Sequence, residues 1–125
     1  MLKTIIHIAI GGAIGSVFRY FITIFINKYW SNNFPLATFL TNILGCFLIG
    51  IIIGLLEKNN LTDSNIKWLL VTGFCGGFTT FSAFGLENVI LFQNQNSLIS
   101  LLYIGSSIFI GIIAVWFGLF ISKYY

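Results

Sequence analysis

The chain has 125 residues, 58% of them hydrophobic and 7% charged, with a net charge of +3 and a mean hydropathy of +0.99. A soluble domain is about a quarter charged, so this composition excludes a water-soluble globule and predicts an all-α integral membrane protein of one domain, 1–125. The basic residues form no run that would suit nucleic acid, and Cys46 and Cys75 lie in apolar segments without metal-ligand spacing, as small buried hydrophobes do.

Four apolar runs stand out, at about 4–26, 35–56, 66–92 and 98–121. Each exceeds the roughly 20 residues that cross a hydrocarbon core. The separators KYWSNN, EKNNLTDSN and QNQNS are short and polar, and Pro35 stands where the second helix should begin. The first run is too long for a cleavable signal and lacks a small-residue cleavage site. Four spans put both termini on one side of the membrane. That side carries Lys3, Lys58, Lys67 and Lys123 against Lys28 opposite, a bias that predicts a cytoplasmic N-terminus.

The first span sets Gly11, Gly12, Gly15 and Ser16 on one face, the pattern of a close helix crossing. His7 is expected near the interface. Arg19 lies well inside the run, where a lipid-facing cation would cost on the order of 3 kcal/mol. It either snorkels to the interface or faces a water-filled vestibule that attracts anions. In the second span Thr38, Asn42 and Gly45 share a face at i, i+4 and i+7, with Thr41 beside them. The Asn42 amide needs partners in lipid, and it either makes an interhelical hydrogen bond or donates into a polar path.

The third span contradicts itself at GFCGGFTTFSAF, Gly73 to Phe84. Gly73, Gly76 and Gly77 weaken a helix, and Thr79, Thr80 and Ser82 offer the backbone alternative partners. Backbone that leaves the helix in a membrane must be satisfied by protein, water or an ion, so the expectation is a broken helix lining a cavity. A tight crossing would explain the glycines but not the hydroxyls. Phe74, Phe78, Phe81 and Phe84 follow helical spacing and could lie along one side, either as packing or with their positive ring edges toward an anion. Glu87 could cap a loop, pair with a lysine or sit at a pore mouth. The fourth span aligns Tyr103, Ser107 and Gly111, with Ser106 alongside, and ends in the basic and aromatic anchor Lys123, Tyr124, Tyr125. Four helices seldom enclose a wet path alone, so the polar faces of spans two to four imply an oligomer, a two-fold pair being commonest.

GGAIGSVFRY (Gly11–Tyr20), TFLTNILGCFLIG (Thr38–Gly50) and GFCGGFTTFSAF together resemble the signature segments of the Fluc/CrcB fluoride channels, over the whole length of the chain. The resemblance implies four transmembrane helices per subunit, a break in the third, an antiparallel dimer and passive export of fluoride across the bacterial plasma membrane. It implies pathway roles for Asn42, for the ring edges of Phe81 and Phe84, for the hydroxyls of Thr80 and Ser82, for a vestibule arginine at Arg19, and for Tyr103 and Ser107. It also implies a structural sodium ion held by the backbone carbonyls of Gly76 and Thr79. Ala83 departs from the family pattern, where threonine is common, and removes a hydroxyl from the track. The positive-inside bias opposes insertion both ways, so pairing with an oppositely oriented relative stands beside pairing with itself. Two other readings are a small multidrug exporter, which needs a carboxylate that the first span lacks, and a purely structural membrane subunit.

Overall fold

The structure, a computed structural model, describes residues 1–124, so Tyr125 of the expected interfacial anchor lies outside the described residues. It is helical throughout, with no strand among the described residues. Helix α1 (Leu2–Tyr29) and α2 (Leu36–Lys58) are continuous, as is α6 (Ser97–Tyr124). The third span is assembled from α3 (Asn65–Lys67), a π-helical stretch (Trp68–Cys75), α4 (Gly76–Phe78) and α5 (Phe81–Gln93). All four spans are long and apolar enough to cross a membrane. Each runs one to three residues beyond its expected bounds at one end or both, because the flanking polar residues continue the helical ladder.

Two helix ends are closed by left-handed residues that are not glycine. Asn60 (φ 54) follows α2 and Gln95 (φ 59) follows α5. In each case the next residue, Leu61 or Asn96, donates its amide five residues back, to Leu56 or Leu91. This is the Schellman closure, which satisfies carbonyls that a helix end would otherwise leave bare.

The helices associate as two seams. In the first, α1 lies on the π-helical stretch and α4. A Cβ on Gly11 would run into the Leu69 carbonyl oxygen, and one on Gly15 into the Phe74 carbonyl oxygen. From the other side, a Cβ on Gly73 would approach Gly11 Cα at 2.9 Å, and one on Gly77 would approach the Gly12 carbonyl oxygen at 2.5 Å. In the second seam α2 lies on α6: Gly50 faces the Val115 carbonyl, Gly118 faces the Phe47 carbonyl, and Gly54 receives Ser122. Lipid supplies no hydrophobic drive between helices, so backbone-to-backbone approach at small residues provides the attraction.

The glycines of the third motif therefore divide. Gly73 and Gly77 serve the crossing with α1, while the interruption falls two residues later, at Thr79 and Thr80. Both are extended, Thr79 with φ −84 and ψ 159 and Thr80 with φ −150 and ψ 118. Ahead of the break the ladder is already widened, the Gly76 amide bonding to the Val71 carbonyl five residues back. After the break the span changes neighbours: α4 lies on α1, whereas α5 lies on α6 and α2.

The four phenylalanines at helical spacing consequently do not share a side. Phe74 and Phe78 stack at 5.7 Å, with Phe18 of α1 edge-on to Phe74. Phe81 and Phe84 form a separate pair at 5.7 Å beyond the break, with Phe84 edge-on to Tyr103 of α6.

Candidate functional site

The break is held by one side chain. Asn42 Oδ1 accepts the Thr80 amide at 2.8 Å, and Asn42 Nδ2 donates to the Thr80 carbonyl at 3.1 Å. An unbroken α-helix would direct that amide to the Gly76 carbonyl, so Asn42 takes over the donor that leaves the ladder and adds a second bond to the carbonyl that begins α5. These bonds are the interhelical contact expected of Asn42, and the same side chain also lines a hollow of about 220 Å³ with Thr79, Thr80 and Phe81. Gly45, a turn along α2, makes room for the Thr79 methyl.

Thr80 is also the N-cap of α5. Its Oγ1 accepts the Ala83 amide at 3.2 Å and lies 3.2 Å from Ser82 Oγ. Thr79 turns its hydroxyl back to the Cys75 carbonyl at 2.9 Å. The hydroxyls that disturb the helix in sequence are the groups that finish one helix and start the next.

Because α5 departs from α1, a second hollow of about 320 Å³ opens between them, lined by Arg19, Ser16, Thr38, Thr41, Thr80 and Glu87 among others. Arg19 is only partly exposed, and its buried Nε has no partner among the described residues. Arg19 thus borders this hollow, with its Nε unpaired among the described residues. A third hollow of about 290 Å³ lies under the loops between α1 and α2 and between α5 and α6, with Asn27, Asn32, Asn33, Asn94 and Asn96 on its walls and Glu87 inside.

Glu87 stands between the second and third hollows and lines both, as do Thr38 and Thr23. Thr38 donates to Glu87 Oε1 at 2.6 Å and Tyr103 donates to Oε2 at 2.8 Å. Neither the loop cap nor the lysine pair describes it: its partners are two hydroxyls from α2 and α6. Tyr103 is wholly buried, with Phe34, Phe39 and Phe84 around its ring. Of the expected pathway residues, Asn42, Thr80 and Phe81 meet at one hollow, Arg19 lies across Thr80 in the next, and Tyr103 reaches it through Glu87. Ser82 is exposed, and Ser107 is a turn away from Tyr103 on α6 with a buried hydroxyl that has no partner among the described residues. Phe81 is 84% exposed and Gly76, ahead of the break, is exposed as well.

The sequence reading missed Asn88 and Ser100, a buried pair joining α5 to α6. A polar residue one position from Glu87 in an apolar run was the available signal.

The family model described as CrcB-like protein, Camphor Resistance (CrcB), matches residues 6–119. Among curated proteins, the chain is 54% identical to a fluoride-specific ion channel FluC of Flavobacterium psychrophilum over 98% of each chain. It is 47% identical to one of Azobacteroides pseudotrichonymphae over the full length of both. A third such protein, from Methylobacillus flagellatus, is 43% identical over 93% of this chain and 91% of its own.

Proposed function

The chain belongs to the CrcB-like family, and from that premise we propose the following reading of its site. The protein is a fluoride channel, a multi-pass protein of the bacterial plasma membrane and not an enzyme. Fluoride leaves the cell passively, down its gradient. The observation that supports the path is the succession of three hollows in which polar side chains recur through an otherwise apolar subunit: the asparagine-rich mouth, the chamber of Arg19 and its hydroxyls, and the hollow of Asn42 and Phe81. Neighbouring hollows share Glu87 and Thr38, then Thr80, so they adjoin one another. Arg19 would draw anions in, while Asn42, Thr80 and Ser82 would offer donors. The ring edges of Phe81 and Phe84 would replace part of the lost hydration without trapping the ion as a fixed cation would. Tyr103 and Ser107 would line the track beyond Phe84.

A single subunit leaves Phe81 and Gly76 uncovered, which supports an antiparallel pair closing over the breaks. A structural sodium ion would sit at that junction on the carbonyls of Gly76 and Thr79. The chain fits such an ion, because the donor that an α-helix gives the Gly76 carbonyl is diverted to Asn42, and Thr79 is extended with its carbonyl outside the ladder. Bound there, the ion would satisfy bare carbonyl oxygens from both subunits. Because the lysine bias favours one orientation, the partner in the cell is either a second copy or an oppositely inserted relative. Comparable C-terminal populations on both faces in a topology-reporter experiment would remove the single-orientation reading.

The purified protein in liposomes should pass fluoride and exclude chloride. Phe81→Ile and Phe84→Ile should lose that flux while keeping the wild-type size-exclusion profile, since volume-conserving apolar swaps are otherwise tolerated. Normal efflux from both variants would make the rings packing elements. Absence of flux from the wild type would favour a structural subunit. An exporter of the small multidrug type would need an acidic residue in α1, which has none.

A further inference from the structure

Asn88 and Ser100 take no part in the path described above, yet they are among the most buried polar side chains, at 6% and 0% exposure. Ser100 Oγ donates to Asn88 Oδ1 at 2.7 Å, and Asn88 Nδ2 donates to the Phe84 carbonyl at 2.8 Å. The amide therefore links α6 directly to the backbone of Phe84. Stability alone does not call for this arrangement, because an apolar pair of similar volume would fill the space without desolvating an amide and a hydroxyl. What a buried polar contact adds is register: apolar helix faces can slide or rotate on one another, whereas a directional bond fixes both degrees of freedom. The need is local, because α5 has none of the close glycine crossings that lock α1 on the π-helical stretch or α2 on α6. At Gly85, for instance, an added Cβ meets nothing within 4 Å.

We propose that Asn88, oriented by Ser100, is a positioning residue for permeation. It sets the height and rotation of α5 on α6, and so fixes the Phe84 ring against Tyr103 (4.9 Å between centroids) and the Glu87 carboxylate against the Tyr103 hydroxyl. This rests on the reading of Phe84 as a path residue. If α5 turns or shifts by a fraction of a turn, the ring edge moves off the path although the helix stays folded.

The test compares Asn88→Val/Ser100→Ala, which removes both partners and leaves neither unsatisfied, with the exchange Asn88→Ser/Ser100→Asn, which can restore one bond in reverse, and with Phe84→Ile. Fluoride efflux from liposomes, fluoride-over-chloride discrimination and thermal unfolding in detergent are measured for each. The apolar double variant should unfold at the wild-type temperature or above, yet lose efflux by about tenfold and discriminate less well. The exchange should recover most of the flux. Wild-type efflux from the apolar double variant, beside an inactive Phe84→Ile, would overturn the positioning inference and leave the path reading standing. Normal flux from Phe84→Ile would instead remove the path reading. Should the apolar double variant fail to fold, the exchange decides: restored flux supports positioning, and a folded exchange variant with flux tenfold down overturns it.

Discussion

The two halves of the third span are built on opposite principles. Before the break, the π-helical stretch and α4 lie backbone to backbone on α1, and the contact consists of glycines and peptide carbonyls. After it, α5 is held by side chains reaching across gaps: Glu87 to Thr38 and Tyr103, and Asn88 to Ser100. The first mode excludes everything, including water. The second leaves hollows, because long polar side chains keep helices apart where glycines let them close. A membrane protein that must be both sealed and wet can divide those tasks along one span, and Asn42 stands at the point of division.

Asn42→Leu should therefore have the largest effect, since it removes the one group that serves both halves. The Thr80 amide would lose its partner, at about 1–3 kcal/mol for a group left bare, while the Thr80 carbonyl keeps its place at the start of the α5 ladder; fluoride efflux should fall to background. Retained efflux in liposomes would show that the break positions itself without the clamp. Next comes Gly11→Ala, which drives a methyl group into the Leu69 carbonyl. It should cost about 1–3 kcal/mol through forced separation of α1 from the third span, read as a lowered melting temperature; a wild-type value would mean that the seam is looser than its geometry. Thr80→Val keeps the volume but deletes the α5 cap, and should cost about 1 kcal/mol, again by melting, with the Asn42 clamp intact because it uses the Thr80 backbone alone. Smallest is Gly85→Ala, on the open half. With nothing within 4 Å of the new Cβ, it should be neutral or stabilising by up to about 1 kcal/mol. A shift to a smaller species on size exclusion would instead place Gly85 beneath a partner copy.

The difference between the halves also explains what could be read from the sequence. The spans and the glycine face of α1 were legible because each is a run or a repeat with helical spacing. The stripe Thr38, Asn42, Gly45 was legible for the same reason, and all three residues meet the region around the break: Glu87, Thr80 and Thr79. The sequence reading passed over the seam between α2 and α6, although Gly50 and Gly54 on one helix and Gly118 and Ser122 on the other stand four residues apart in each pair. The sequence reading assigned the glycines of the third motif to the break, and only the neighbour helix distinguishes a glycine that frees the backbone from one that admits a carbonyl. The partners of Glu87 and the pairing of Asn88 with Ser100 depend on how far α5 tilts away from α1, which no local pattern encodes. The π-helical stretch is likewise invisible in composition, since its residues would form an ordinary helix elsewhere.

The two glycine seams are interleaved along the chain. The glycine crossing of α1 is made with the third span and that of Gly50 and Gly54 on α2 with α6, Gly45 alone on α2 giving room to Thr79. A ribosome that has released α1 and α2 into the membrane has delivered two helices whose tight crossings do not yet exist. The first seam can close when the third span arrives, but the second, at Gly50 and Gly54, needs the last helix to be made. Assembly of this subunit is therefore postponed to the end of synthesis, and a chain cut short before Gly118 would leave α2 with its small-residue face open to whatever other helix drifts past.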